Sequence, residues 1–252
     1  MDVIVLAAGY ATRMYPLTEH FPKPLLPVSG RPILDWLLAD AARLPGMDRV
    51  IVVSNHRFID AFSNWADGLR LPLPVVLLDD GSESNQTRRG AVRDILFARE
   101  ETGATDDALV MAGDNVLEFS LSVLVEFYRE KRASCVLCYE EPDMARRRRA
   151  GVLVCDENDR VISFEEKPEQ PKGVLLSPPF YCFTAADLDR IPAALACGCP
   201  FDAPGNYAAY VSRESLLYAC RMPGKRHDIG SLEGYRAIQR EVTPYAREGD
   251  PV

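Results

Sequence analysis

The sequence predicts an α/β fold with a mainly parallel sheet flanked by helices and a mixed second lobe, on three observations. Short apolar runs of strand composition alternate with segments at helical spacing. The alternation is regular through the first half, and the second half breaks into shorter strands joined by polar turns. Strands separated by helices of about a dozen residues indicate βαβ units, whose strands lie parallel in one sheet.

Residues 3–6 (Val-Ile-Val-Leu) read as the first strand. A long loop follows, then a helix over 33–44, where apolar residues recur near helical spacing, and a strand over 49–53. A helix around 59–69, a strand over 75–78, a helix around 90–101 and a strand over 108–111 continue the alternation. Beyond them, 134–139, 151–155 and 161–164 are short strands, the last two joined by the polar turn Asp156-Glu-Asn-Asp159. A strand near 180–183, a helix over 185–195, a strand near 217–221 and a last helix over 232–241 complete the pattern. No Gly/Ser-rich or Pro-rich linker separates the halves, so residues 1–252 read as one domain with two lobes, about 1–115 and about 116–252.

The chain of 252 residues carries 29 Lys+Arg against 37 Asp+Glu, a formal net charge of −8. That balance argues against a general nucleic-acid binder, whose affinity comes from clustered cations. At 47% hydrophobic and 26% charged, the composition excludes disorder as the main state. Apolar runs such as 71–78 stop far short of the roughly 18 to 20 residues of a membrane helix. Met1-Asp2 runs straight into the first strand, so the start reads as that strand and not as a signal peptide. Seven cysteines in apolar context point to reduced core thiols and a cytoplasmic location. Cys135 and Cys138 have C-x-x-C spacing, but in a strand i and i+3 face opposite ways, so they read as core residues and not as half of a zinc site.

The chemistry concentrates in Leu6-Ala-Ala-Gly-Tyr-Ala-Thr-Arg-Met-Tyr-Pro-Leu-Thr18 and Pro22-Lys-Pro-Leu-Leu-Pro-Val-Ser-Gly-Arg-Pro-Ile-Leu34. A loop of small residues directly after a strand brings backbone N–H groups against an anion. Leu6, Ala7, Ala8 and Gly9 supply such a loop, with Arg13 and Lys23 projecting from the same system. It is neither a Walker A pattern nor a G-x-G-x-x-G fingerprint. Asp114 ends the apolar strand 108–111 and its small-residue tail, at the carboxyl edge where α/β folds bind ligands.

These segments resemble the sugar-phosphate nucleotidylyltransferases, or nucleoside-diphosphate-sugar pyrophosphorylases. The family signature is similar to L-A-[AG]-G-x-G-T-R-x-x-P-L-T followed by P-K-P-[LM]-[LV]-P-[VI]. Three further landmarks stand in the family's order: Gly113-Asp114-Asn115, Glu165-Glu-Lys-Pro168 and Asp228-Ile-Gly-Ser-Leu-Glu-Gly-Tyr235. The resemblance spans residues 1 to about 240. It implies a Rossmann-like sheet, a nucleotide-binding first lobe and a sugar-phosphate-binding second lobe. It also implies an EC 2.7.7 type reaction in which a sugar 1-phosphate attacks the α-phosphorus of a nucleoside triphosphate, giving a nucleotide sugar and pyrophosphate.

The resemblance implies that Asp114 and Asp228 hold Mg²⁺, which suits two hard carboxylates without a His or Cys cluster. It assigns Arg13 and Lys23 to the triphosphate and Lys167 to the sugar phosphate. Glu166 would bond sugar hydroxyls, Gly151 would line the sugar pocket, and Gly113 would line the nucleotide site. The base-recognition loop falls on residues 79–94, where Asn85 or Gln86 has an amide to read a base edge and Gly90 lets a base pack on the backbone. The family forms dimers and tetramers, which implies a homodimer or homotetramer here. A cytidylyltransferase for a choline or polyol phosphate, or a non-catalytic regulatory homologue that binds nucleotide sugars, is the alternative reading.

Two departures from the signature stand out. Ala11 replaces its second glycine, which is tolerable only where φ is not strongly positive. Arg226 replaces an aromatic residue two before Asp228, and reads as a solvated surface residue or, with His227, as an anion contact. Arg146-Arg-Arg-Arg149 reads as a solvated or interface segment, and His20 and His56 as structural. The chain ends soon after the helix that follows Asp228, so a core without the C-terminal β-helix of larger relatives is expected.

Overall fold

The computed structural model of the chain describes residues 1–241 and 244–246. The first elements are β1 (Asp2–Leu6), β2 (Pro27–Val28), β3 (Arg31–Pro32), α1 (Ile33–Ala41), β4 (Arg49–Ser54), α2 (Ile59–Gly68) and β5 (Val75–Asp79). They are followed by α3 (Ala91–Thr102), β6 (Ala108–Ala112), β7 (Asn115–Leu117), α4 (Ser122–Lys131), β8 (Ser134–Glu140), α5 (Met144–Arg147), β9 (Gly151–Cys155) and β10 (Val161–Glu166). The last are β11 (Leu175–Ser177), β12 (Phe180–Phe183), α6 (Ala185–Leu188), α7 (Ile191–Ala196), α8 (Pro204–Glu214), β13 (Leu217–Arg221), β14 (Arg226–Asp228) and α9 (Leu232–Glu241).

The chain forms two compact units. One comprises Met1–Arg88, Ala112–Ser122 and the described residues from Pro223 onward; the other comprises Arg89–Met111 and Val123–Met222. Each is discontinuous in sequence, unlike a division near residue 115, because the segment carrying Asp228 belongs with the N-terminal elements.

In the first unit β1, β4 and β5 run parallel, from Asp2↔Arg49 to Leu6↔Val53 and from Val50↔Val75 to Ser54↔Asp79. Val3, Ile4, Val5 and the four residues 50–53 are fully enclosed, which is why β1 and β4 read as unbroken apolar runs. The helix expected over 33–44 ends at Ala41, and the chain then winds on through tighter bonds, Arg43 N–H to Asp40 O and Leu44 N–H to Ala41 O. Asp40 is buried on this helix because its carboxylate accepts from Leu121 N–H at 2.6 Å and Ser120 Oγ at 2.8 Å. Two antiparallel pairs, β2 with β3 and β7 with β14, complete the unit. A core of Met14, Leu26, Val28, Ile33, Val116, Ile229, Tyr235 and Ile238 fastens the loop after β1 to α9.

In the second unit the strands lie in the order β10-β9-β11-β8-β12-β6 with antiparallel neighbours, and β13 pairs parallel with β8. Helices α4 and α8 are absent from the sequence reading. Helix α8 opens on Pro204 at its first turn, a residue that starts helices as readily as it marks loops. The α8 residue Tyr207 is fully buried against Phe183, with ring centroids 5.3 Å apart. The helix expected over 185–195 is two helices. Thr184 caps the first, accepting from Asp187 N–H at 3.1 Å, and Pro192, at the start of the second, has no N–H with which to continue the first. Cys135 and Cys182 face each other across β8 and β12, and burial pushes the Cys138 thiol up to about 12. No helix among the described residues is long and apolar enough to cross a membrane.

Met14 is almost fully enclosed in the core that anchors the loop after β1. Met14→Ala is expected to cost about 2–5 kcal/mol of unfolding free energy in denaturant titration. A loss under about 1 kcal/mol would show that this core does not hold the loop.

Candidate active site

Strand β1 ends at Leu6, and the chain turns through Ala7–Ala11 into a single 3₁₀ turn, Thr12–Met14. The carbonyls of this turn are tied down from behind. Asn55 Nδ2 donates to Ala8 O at 3.0 Å, and Thr18 Oγ1, fully buried, donates to Ala11 O at 2.9 Å. Tyr10 donates its hydroxyl to Ser82 O at 2.7 Å, and burial raises its phenol so that it stays a donor. The N–H groups of Ala8, Gly9, Tyr10 and Ala11 meet no protein acceptor among the described residues. Gly9 faces open space. Four successive backbone donors, three of them on residues that line the cleft, are thus left without a protein acceptor, an arrangement suited to an anion.

Ala11, which replaces the signature's second glycine, has a positive φ. It sits at φ 46°, ψ 39°, in the left-handed region. The geometry of the turn overrides the side chain's preference, because the Ala11 carbonyl must meet both Thr18 Oγ1 and Met14 N–H.

The cleft, a cavity of about 280 Å³, is lined by Leu6, Ala7, Gly9, Arg13, Lys23, Asn85 and Asp114 from the sequence reading. Tyr10, Thr12 and Arg88 line it as well, and sequence reasoning missed them. Ala8 is buried behind it, and Gln86, Gly113 and Asp228 are not among its lining residues. Gly113 packs strand against loop: a Cβ there would meet Val5 and Pro24 at 3.2–3.3 Å. Arg13 is exposed, with no partner among the described residues.

Lys23 Nζ donates to Asp114 Oδ2 at 2.6 Å, and Asn115 Nδ2 donates to Asp114 Oδ1 at 2.8 Å. Register between β7 and β14 sets Asp228 opposite Asn115, and Ile229 N–H reaches Asp114 O at 3.4 Å, so Asp228, on β14, pairs beside the turn residue Asp114, which immediately precedes β7 and lies more than a hundred residues away in sequence. Arg226 is not the solvated residue expected. It is half-buried on β14 and donates through Nη1 to Asn115 Oδ1, so it orients the amide that holds Asp114. The neighbouring His227 Nε2 lies 2.8 Å from Glu118 Oε1. Among the described residues no group of three or more His, Cys, Asp or Glu is placed to hold a metal ion.

In the second unit Glu166 ends β10. Its carboxylate overlaps the place a Cβ on Gly205 would take, while a Cβ on Gly151 would meet the Phe164 ring at 2.8–2.9 Å and Glu166 Oε2 at 3.1 Å. The two glycines at the start of β9 and of α8 thus make room for it, and Gly205 was missed because no sequence pattern marks that approach. Burial raises the Glu166 carboxyl, Lys167 opposes the shift from Nζ at 3.6 Å, and Asp202 adds to it. Lys167 itself holds φ 49°, with its N–H on Ala150 O at 3.0 Å. Gly90 does not offer the open backbone expected for a base: it sits at φ 94°, and a Cβ on it would fall 2.6 Å from the Phe201 ring, so Phe201 takes that face. His56, treated as structural, bonds Asp79 at 2.6 Å, which raises the imidazole.

The family model described as nucleotidyl transferase matches residues 2–244. The chain is 27% identical over 250 residues to the UTP–glucose-1-phosphate uridylyltransferase of Synechocystis, across 96% of this chain and 63% of that protein. It is 29% identical over 256 residues to the UTP–glucose-1-phosphate uridylyltransferase AglF of Haloferax volcanii, across 96% of this chain and 98% of that one. A crystal structure of UDP-glucose pyrophosphorylase complexed with UDP-glucose superposes with a TM-score of 0.79 at 19% identity, covering 95% of this chain and 97% of that one, a likeness of fold. The chain belongs to the nucleotidyl transferase family.

Ala11→Gly is expected to raise stability by up to about 1 kcal/mol, because glycine enters the left-handed region freely and loses only part of that gain to unfolded-state entropy. A destabilised variant in thermal or chemical unfolding would contradict the strain assigned to Ala11.

Proposed function

We propose that the protein joins a nucleoside triphosphate and a sugar 1-phosphate to give a nucleotide sugar and pyrophosphate. The observation that carries this reading is the row of unpartnered N–H groups from Ala8 to Ala11 beside Arg13 and Lys23. In this reading the first unit holds the triphosphate and the second the sugar phosphate, through Lys167 and Glu166.

The chemical obstacle is charge. A phosphate monoester carries roughly −1.5 to −2 near neutral pH and must approach an anionic triphosphate. Each pair of unit charges at about 4 Å repels by about 4 kcal/mol at an effective dielectric near 20. The loop N–H groups and the Arg13 guanidinium spread and offset the triphosphate charge while fixing its geometry. A sugar-phosphate oxygen then bonds to the α-phosphorus as the bond from that phosphorus to the bridging oxygen breaks, and pyrophosphate leaves with the electron pair. Lys23, reaching across to Asp114, is set to turn its ammonium from carboxylate to phosphate.

Asp114 and Asp228 fit a divalent cation of the Mg²⁺ kind. They are hard oxygen donors, one on β14 and the other in the turn just before its partner strand β7, and two carboxylates leave the remaining positions for water and phosphate oxygens, as Mg²⁺ prefers. When bound, Mg²⁺ would supply charge neutralisation at the phosphates. Asn115, and Arg226 behind it, keep the Asp114 carboxylate aimed.

The reading is tested by pyrophosphate release from a panel of triphosphates and sugar 1-phosphates with Mg²⁺. Turnover is expected with at least one pair, and silence across the panel would overturn it. Asp114→Asn is expected to lower turnover about a hundredfold or more with the circular dichroism spectrum unchanged; wild-type rates would remove Asp114 from the mechanism. Glu166 accepts sugar hydroxyls as the carboxylate, and burial raises it, so KM for the sugar phosphate should climb as pH falls through a range above that of ordinary carboxylates. Glu166→Gln should erase that acidic limb, and an unchanged profile in the variant would refute the assignment.

A further inference from the structure

Arg88 lines the same cleft as Gly9, Arg13 and Lys23, yet neither the family signature nor the mechanism above uses it. It is exposed and has no hydrogen-bond, ion-pair or ring partner among the described residues. Its neighbours in sequence are engaged: the guanidinium of Arg89 rests on Phe97 at 4.2 Å and that of Arg93 on Phe201 at 3.7 Å. The segment bearing Arg88 is held firmly. Asp80 accepts from Ser82 N–H and Oγ at 2.7 and 2.6 Å, and Tyr10 bonds Ser82 O. Thr87 N–H closes a turn onto Ser84 O at 3.1 Å, while Thr87 Oγ1 takes Ser84 N–H at 3.1 Å. That turn turns Asn85 and Arg88 into the cleft and leaves Gln86 off its wall. Donors for the phosphates are already supplied by the loop after β1.

We infer that Arg88, with Asn85, reads the nucleobase and selects bases that carry a ring carbonyl beside a ring N–H over bases that carry an exocyclic amino group there. The inference rests on the nucleotidyltransferase reading. A guanidinium has five donors and no acceptor, whereas the Asn85 amide has both. Uracil, thymine and guanine present an acceptor oxygen next to a donor N–H, which Arg88 and Asn85 Oδ1 complement. Cytosine and adenine present an amino donor next to an acceptor nitrogen, so Arg88 would face a second donor and leave both unpaired. A polar site of this kind rejects the mismatched group more strongly than an apolar pocket rejects a change of size.

The experiment compares UTP with CTP and GTP with ATP in wild type, Arg88→Ala and Arg88→Lys, by kcat/KM for pyrophosphate release and by equilibrium binding with Mg²⁺. Wild type should favour the keto base by at least about tenfold within whichever ring size it accepts. In Arg88→Ala that ratio should fall toward one, through loss on the keto side, with Lys restoring it only in part. A uniform loss across all four triphosphates, as a phosphate contact would give, overturns the inference. So does a wild type that prefers CTP or ATP. Absence of turnover with every triphosphate would count against the nucleotidyltransferase reading instead, and the binding ratios would still decide Arg88.

Discussion

The structure turns on one constraint: the peptide after β1 must keep its N–H groups free while everything else about it is fixed. A free loop would hydrate those donors and move; a helix or strand would satisfy them internally. Here the carbonyls are taken by Asn55 and Thr18, the Tyr10 ring by Ser82, and the far end by the core around Met14. The left-handed Ala11 is the visible cost of holding such a turn. Each tether comes from a different part of the first unit, so the cradle is a product of that unit's whole fold and not of the small-residue motif alone.

The Lys23–Asp114 pair joins two charged side chains of the cleft wall to each other. With Asp114 about one-third exposed, the pair adds little to stability, in the range of about 1 kcal/mol or less. Its consequence is positional: each charge holds the other at the wall of the cleft. Asn115 and Arg226 extend that control one layer outward, so the carboxylate is oriented by groups that need not touch any ligand.

The parallel strands and their crossovers were legible because fully buried strands leave unbroken apolar runs, as in Val3-Ile4-Val5. Strands 151–155, 180–183 and 217–221 and the helix over 232–241 matched for the same reason of strong local patterning. Helices α4 and α8 were not seen: α8 opens on Pro204-Gly205, which looks like a turn until Tyr207 is seen to pack on Phe183. In the cleft, the loop and Asp114 follow from sequence because a strand end with small residues is a local signal. Arg226 and Gly205 do not, since the first is defined by a bond to Asn115 across 111 residues and the second, on α8, by the Glu166 carboxylate from β10. Arg88 escaped notice among several arginines because only the Ser84–Thr87 turn distinguishes it from Arg89.

The central claim, that backbone donors after β1 hold the triphosphate, concerns four peptide groups and can be read from them directly. Amide ¹⁵N–¹H spectra recorded while Mg²⁺ and a nucleoside triphosphate are added should show the signals of Ala8, Gly9, Tyr10 and Ala11 shifting downfield and their hydrogen exchange slowing, at the concentrations that saturate binding. Saturation with those four amides unmoved, and the shifts lying elsewhere, would contradict the account.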